Sequence, residues 1–317
     1  MTLQAIHESR ASWSPPFYAF PVAQAAPHLP PLEETSPGPA HTRPDPEGEA
    51  RQKTKVPIRE LGLTIPGTPL EPILQAFEKE LDAACITRVR PRYYLSNEWG
   101  VPENSIAIAI PFYLAKPELT VLQAEQLCHV EGSGPRDILR YLRHEMGHVV
   151  NYAYRLHERK EWTDLFGSMQ KPYNEEYRPR PFSREYVHHL PGWYAQKHPD
   201  EDWAETFAVW MTPGRDWRTE YADHAMALAK LEYCDRTMNA LRDRPPIVTS
   251  SETDEEVKEI PYSVEQFYKG LEPIAGEFPH GLDGALRAIF EDLAPPAAPQ
   301  ALPEGDAPIA MSMPAAS

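Results

Sequence analysis

The sequence predicts an α+β fold, with a small mixed sheet followed by a helical C-terminal half. Two segments rich in β-branched or aromatic residues, Thr87–Ser96 and Ser105–Leu114, are predicted to be short strands. The periodic segments that follow repeat their apolar residues at helical spacing, three or four positions apart. Short strands ahead of a run of helices, without regular alternation of the two, are typical of the α+β class.

The composition predicts a single domain at about residues 51–293. The chain has 317 residues and 36 prolines, and the prolines concentrate at both ends. Segments rich in Pro, Ala, Ser, Gly and Glu bury too little apolar surface to offset the entropy lost on ordering. Residues 1–50 and 294–317 are therefore predicted to be disordered tails.

Charge and hydropathy exclude several classes of protein. The formal net charge is −16, whereas nucleic-acid binding depends on basic residues that neutralise phosphates. A nucleic-acid partner, and with it a DNA-associated protease, is disfavoured. The sequence contains no run of 18 apolar residues, so we expect no membrane span. It shows no basic segment followed by an apolar one at its start, so we expect a cytoplasmic protein.

The first elements follow from local patterns. In Glu71–Ala84 the apolar residues lie at i, i+1, i+4 and i+8, which predicts a helix. The two strands come next, and Pro111 should end the second strand or place it at a sheet edge, because proline cannot donate to the ladder. A helix of about six turns is predicted from Pro135 to about His157, since its apolar residues recur every three or four positions.

Two further helices are predicted at Pro199–Met211 and Trp217–Leu241. Proline suits a first helical turn, where its missing N–H is no loss. The acidic residues that follow Pro199 suit the positive end of the helix dipole. Small Ala204 and Ala208 would let this helix pack closely against the long one.

An HExxH motif lies inside the long helix, from His144 to His148. Residues four apart lie on one helix face about 6 Å apart, so both imidazoles can reach one metal ion. Glu145 projects beside them and can contact water on that metal rather than the metal itself. Zinc accepts nitrogen and carboxylate ligands, and a catalytic zinc keeps one position open for water. Two histidines on an ordinary helix remain the alternative until a third ligand is found.

The third ligand is expected on the later helix. The metzincin pattern is excluded, because it requires a histidine at position 154 and the sequence has none there. Glu201 and Glu205 instead lie four residues apart within Pro199–Met211. Glu201 could bind the ion while Glu205 accepts a hydrogen bond from the outer N–H of a ligand histidine, as carboxylates commonly do at zinc sites. A solvated acidic helix face is the alternative for this pair.

The combination of HEMGH with ExxAE on a later helix resembles the gluzincin clan of zinc metallopeptidases. Three segments are similar to a bacterial family known as putative zinc-binding metallopeptidases: IAIPFYLAKPEL, LRHEMGHVVNYAYRLH and YRPRPFSREYVHHLPGWYAQKHPDEDWAETFAVWM. The resemblance covers about Tyr94 to Leu241. It implies a zincin-like catalytic domain that acts on peptide or protein substrates, with one zinc ion bound by His144, His148 and Glu201.

A shorter pattern, Y-x6-E-x2-A-E, is shared with the catalytic module of anthrax lethal factor and with the Pro-Pro endopeptidases. In this sequence it falls on Tyr194, Glu201, Ala204 and Glu205. The resemblance implies that Tyr194 donates a hydrogen bond at the reacting carbonyl. Packing of Tyr194 in an aromatic cluster with Trp193 is the alternative.

The predicted function is therefore a zinc-dependent peptidase in which Glu145 acts as general base on metal-bound water. The alternative is a zinc-containing regulatory module that binds a partner protein and has little catalytic activity, although an intact Glu145 argues against it. Substrate-binding residues and the oligomeric state do not follow from the sequence. His188 and His189 could assist catalysis, but a structural hydrogen bond is favoured for each. Helix caps are favoured over ligands for two flanking residues, His198 and Asp200.

Overall fold

The computed structural model describes residues 54–127, 130–173 and 177–270. All of them belong to one compact unit, which ends at Glu272. The two predicted tails, and residues 271–293 of the predicted domain, lie outside the described residues. The tail predictions therefore stay predictions.

The described elements confirm the α+β class. Two short strands come early and most of the helices follow them, as the sequence predicts. The elements are α1 (Leu70–Ala83), β1 (Arg92–Ser96), β2 (Ala107–Pro111), α2 (Pro117–Leu127), α3 (Pro135–Tyr154), α4 (Lys160–Phe166), α5 (Pro199–Met211), α6 (Trp217–Glu220), α7 (Ala225–Leu241) and α8 (Val264–Gly270).

The sheet is a parallel pair of strands, in which Arg92 is paired with Ala107 and Ser96 with Pro111. On β2, Ala109 also forms an isolated antiparallel bridge with Gly100. Both strands are shorter than the sequence suggests, and β2 ends at its proline as expected. Every residue of β2 is buried, so this strand forms part of the core beneath α3.

The long helix α3 begins and ends for local reasons. Pro135 occupies its first turn, and Asp137 in the same turn accepts the N–H of Gly132 at 3.0 Å. The helix ends because Arg155 adopts a left-handed conformation, with φ of 48°. This end lies short of the predicted boundary, and residues Leu156–Glu158 continue as a 3₁₀ turn.

The prediction of one helix over Trp217–Leu241 is wrong. The chain leaves helical conformation between Glu220 and Ala225. Tyr221 lies at this break, is buried, and its hydroxyl accepts the backbone N–H of His188 at 3.0 Å. This tertiary contact leaves no trace in the apolar periodicity, which runs on through the break.

The two helices that carry the HExxH and ExxAE motifs, α3 and α5, touch backbone to backbone. A Cβ atom added to Gly147 would lie 2.7 Å from Cα of Ala204. The indole N–H of Trp203 donates to the carbonyl oxygen of Gly147 at 2.7 Å. Small residues on both helices make this approach possible, as predicted for Ala204.

None of the described helices is both long and apolar enough to cross a bilayer.

Gly147→Ala is expected to lower the free energy of unfolding by about 1–3 kcal/mol, because its methyl group would meet backbone rather than a movable side chain. The usual gain in helix propensity from glycine to alanine, about 1 kcal/mol, should not offset this clash. Denaturant unfolding would measure the change. Gly100→Ala is the matched control, since no atom lies within 4 Å of its added Cβ. An unchanged or higher stability for Gly147→Ala would contradict the close contact.

Candidate metal centre

Three side chains from two helices converge on one point. His144 and His148 lie one turn apart on α3, and Glu201 lies in the first turn of α5. The Nε2 atoms of the two histidines are 3.2 Å apart. Oε2 of Glu201 is 3.0 Å from Nε2 of His144 and 3.4 Å from Nε2 of His148. All three side chains are buried, and together they could hold a metal ion.

The spacing of these three atoms fits zinc. Ligand atoms about 2.0–2.1 Å from a zinc ion are about 3.3 Å apart in a tetrahedral arrangement, which matches the observed sides of 3.0, 3.2 and 3.4 Å. Two neutral imidazoles would turn their Nε2 lone pairs toward each other here. Such lone pairs repel unless a cation lies between them, so the donor set suits a metal ion.

A buried carboxylate holds the outer nitrogen of each histidine. Nδ1–H of His144 donates to Oε1 of Glu205 at 3.0 Å, and Nδ1–H of His148 donates to Oδ2 of Asp200 at 3.0 Å. These bonds fix the tautomers that leave both Nε2 atoms free for the metal. Glu205 thus accepts a hydrogen bond from the outer N–H of a histidine, as expected from the sequence. Asp200 does not act as the cap: Nδ1 of His198 accepts the backbone N–H of Asp200 instead.

Asp200 has further partners on α3. Its Oδ1 accepts the amide of Asn151 at 2.7 Å, and its Oδ2 accepts the hydroxyl of Tyr152 at 2.6 Å. Sequence reasoning missed this network. Asn151 and Tyr152 lie three and four residues after His148, so helical geometry places both near the metal-binding face of α3. This spacing is the sequence pattern that could have predicted the network.

Glu205 is bound on its second oxygen by backbone. The N–H groups of His189 and Leu190 each donate to Oε2 at 2.9 Å. The ring of His189 is turned away, since its Nε2–H donates to the carbonyl of Arg140 at 3.0 Å. Burial lowers the pKa of His189 to about 4, so the ring is neutral. Its contribution to the site is its main-chain N–H.

His188 does not join the metal group either. Its ring is exposed and packs against Trp193, with centroids 4.6 Å apart. Tyr194, the next residue after Trp193, instead lies beside a ligand: its ring centroid is 5.7 Å from that of His144. Nζ of the buried Lys197 lies 5.4 Å from the same tyrosine ring. Trp193 therefore contacts His188 while Tyr194 contacts His144, although the sequence allowed both aromatic residues to pack in one cluster.

Opposite charges set the protonation of the site in the absence of a metal. Burial would lower the pKa of His144, but hydrogen bonds to Glu201 and Glu205 outweigh it and raise that pKa to about 9. Burial would likewise raise the pKa of Glu201, but the two histidines hold it below its ordinary value. A metal ion therefore has to displace protons from the imidazoles before it can bind.

Glu145 differs from these carboxylates. It is only 5% exposed, and no described residue forms a hydrogen bond or an ion pair with its carboxylate. Burial raises the pKa of Glu145, and the charges of His144 and His148 oppose that rise. The arrangement leaves a buried, unpaired carboxylate next to the metal ligands.

Asp200→Asn is expected to weaken zinc binding by about 10- to 100-fold, because asparagine removes the negative charge that makes Nε2 of His148 a strong ligand. Competition with a chromophoric chelator would measure the affinity. Asp202→Asn is the matched control on the same helix, since Asp202 pairs with Lys230 at 2.6 Å rather than with a ligand. Equal zinc affinities for the two variants would contradict this role of Asp200.

Comparison with protein families agrees with this geometry. The model of the family described as "Putative zinc-binding metallo-peptidase" matches residues 128–250, a range that includes α3, α5 and all three converging side chains. No curated protein and no solved structure matches the chain. The match confirms the resemblance over these residues: the segment that contains the three converging side chains is similar to a family of putative zinc-binding metallo-peptidases.

Proposed function

We propose that the protein is a gluzincin-type zinc peptidase, in which His144, His148 and Glu201 hold one zinc ion. The observation that carries this proposal is the convergence of two Nε2 atoms and one carboxylate oxygen at 3.0–3.4 Å. The family match at the same residues supports zinc and peptide or protein substrates. When bound, the zinc ion supplies a Lewis acid that polarises the scissile carbonyl and lowers the pKa of water.

Glu145 is the general base of the proposed reaction. It takes a proton from the attacking water and returns that proton to the amine leaving group. A base is most effective when its pKa is close to the working pH, and burial raises the pKa of Glu145 in that direction. The absence of a partner among the described residues leaves both of its oxygens available for this exchange.

Tyr194 donates a hydrogen bond to the carbonyl oxygen as negative charge develops there. Its ring packs beside His144, so it reaches the site from the short turn before α5. A phenol can donate without competing for the metal. Donors aimed at developing charge contribute strongly because the site around them excludes water.

Glu145→Gln is expected to lower kcat by about 10²- to 10⁴-fold, because glutamine cannot accept the proton. Bound zinc should remain near one equivalent, since Glu145 is not a ligand. A peptide-library digest together with elemental analysis measures both quantities. Glu158→Gln, at an exposed position, is the control for the same change of charge. Full cleavage by Glu145→Gln, or no cleavage by the unaltered protein, would refute the proposed function and favour a protein-binding role.

Tyr194→Phe is expected to lower kcat by about 10²- to 10³-fold with little change in KM, because the lost hydrogen bond forms only as charge develops. Steady-state kinetics on a cleaved peptide would show this split. Tyr154→Phe serves as the control, because its hydroxyl donates to the carbonyl of Arg244 and not to the site. A change confined to KM would contradict the assigned role.

A further inference from the structure

Lys197 is a buried lysine that the proposed mechanism does not use. It follows the 3₁₀ turn Tyr194–Gln196 and comes directly before His198, the N-cap of α5. The residue is only 5% exposed, and its backbone N–H donates to the carbonyl oxygen of Tyr194 at 2.9 Å. Lysine is seldom buried unless its ammonium group has partners. The groups near its Nζ atom therefore indicate what the side chain does.

Two tyrosine rings lie close to the ammonium group. Nζ of Lys197 is 5.4 Å from the ring centroid of Tyr194 and 5.7 Å from that of Tyr173. Both distances are within the range of about 6 Å over which a cation is attracted to the face of an aromatic ring. This attraction is stronger when the cation is removed from water. Because Lys197 is buried, its contact with Tyr194 stabilises the position of that ring.

The ring of Tyr194 also contacts the metal group. Its centroid is 5.7 Å from that of His144, and the two ring planes meet at 62°. Nδ1–H of His144 is held by Glu205 at 3.0 Å, so the imidazole has a fixed direction. The tyrosine ring therefore lies against a fixed ligand and near the Lys197 ammonium group at the same time. Loss of either contact would allow the phenol hydroxyl to move relative to the metal.

The backbone before Tyr194 requires such contacts. Trp193 has a left-handed conformation, with φ of 57° and ψ of 43°, which is uncommon for a bulky residue. A strained conformation of this kind persists only where the surrounding structure holds it in place. The ring of Trp193 packs on the exposed His188. Tyr194 contributes the contacts with buried residues, and these include His144 and Lys197.

The second tyrosine connects Lys197 with the helix that carries Glu201. The ring of Tyr173 stacks on that of His198, with centroids 3.9 Å apart and planes at 10°. Nδ1 of His198 in turn accepts the backbone N–H of Asp200 in the first turn of α5. Glu201 lies in the same turn. The position of the Lys197 ammonium group is therefore coupled to the turn that supplies the third metal ligand.

A buried lysine near a peptidase centre could instead bind a carboxylate of the substrate. With 5% of its surface exposed, Lys197 offers little area to a substrate. Its contacts with the two tyrosine rings, by contrast, are made within the folded chain. These observations favour an action on Tyr194 over direct contact with substrate.

We propose that Lys197 is a positioning residue, whose ammonium group holds the ring of Tyr194 so that the hydroxyl points at the reacting carbonyl. This inference rests on the proposed peptidase function and deepens it. A donor accelerates the reaction only when it is aimed at the place where negative charge develops. Lys197 therefore affects the rate through the tyrosine and does not touch the substrate.

A double-mutant cycle on the zinc-loaded full chain tests the proposal. Lys197→Met keeps a long side chain but removes the charge. It should lower kcat by roughly 10-fold with little change in KM, because a desolvated contact between a cation and a ring is lost. Added to Tyr194→Phe, it should cause no further loss, since the hydroxyl that it positions is already absent. Lys197→Gln replaces Lys197→Met in the cycle if the methionine variant does not fold.

Lys160→Met is the matched control, because this lysine has a side chain that is 87% exposed, and it should leave kcat unchanged. A further loss of kcat in the double variant, an unaltered kcat in Lys197→Met or a change confined to KM overturns the inference while the peptidase function stands. A full kcat in Tyr194→Phe overturns it as well, because the lysine would then have no catalytic donor to position.

A measurement that does not depend on cleavage decides the position of the ring. The nuclear Overhauser effect between ring protons of Tyr194 and His144 should be present in the unaltered protein and in Lys160→Met. It should be weaker in Lys197→Met, because the tyrosine ring is no longer held. If no peptide is cleaved, the proposed function fails, and this signal still tests the contact. An equal effect in the two lysine variants shows that Lys197 does not position the ring.

Discussion

The backbone contact between α3 and α5 is the constraint on which the metal centre depends. The side chain of glutamate is short. Its carboxylate can therefore reach Nε2 of both histidines only if α5 lies very close to α3. Gly147 and Ala204 provide that closeness, since a single added Cβ atom would meet backbone at 2.7 Å. The small residue between the two histidines is therefore as much a part of the site as the ligands.

The same contact places a second layer of carboxylates around the ligands. Glu205 and Asp200 bond the outer nitrogens of the two histidines, and both are held in turn by donors from backbone or from α3. Ions removed from water are tolerated only when they are paired and hydrogen-bonded. The paired charges at the centre meet that condition, and this gives the two imidazoles a fixed direction before any metal arrives.

The buried acids of the described chain divide into two kinds. Four of them have a cationic or imidazole partner: Asp200, Glu201, Asp202 and Glu205. The other two, Glu131 and Glu145, have no partner within the described ranges. Glu145 is the proposed general base, and both of its oxygens are left without a partner among the described residues.

Local patterns in the sequence predicted the two strands, the long helix and the three side chains that could hold a metal ion. The HExxH spacing follows from helical geometry alone, and the ExxAE motif and Pro199 located the second helix. Only the tertiary structure decided which elements meet. Tyr221 lies at the helix break, and its hydroxyl accepts the N–H of His188, which is far away in the sequence. The two strands pair in a parallel register that periodicity does not encode. The contact of Asp200 is with a histidine 52 positions away. Contacts between residues far apart in the chain depend on packing, and a single sequence records only the neighbours along it.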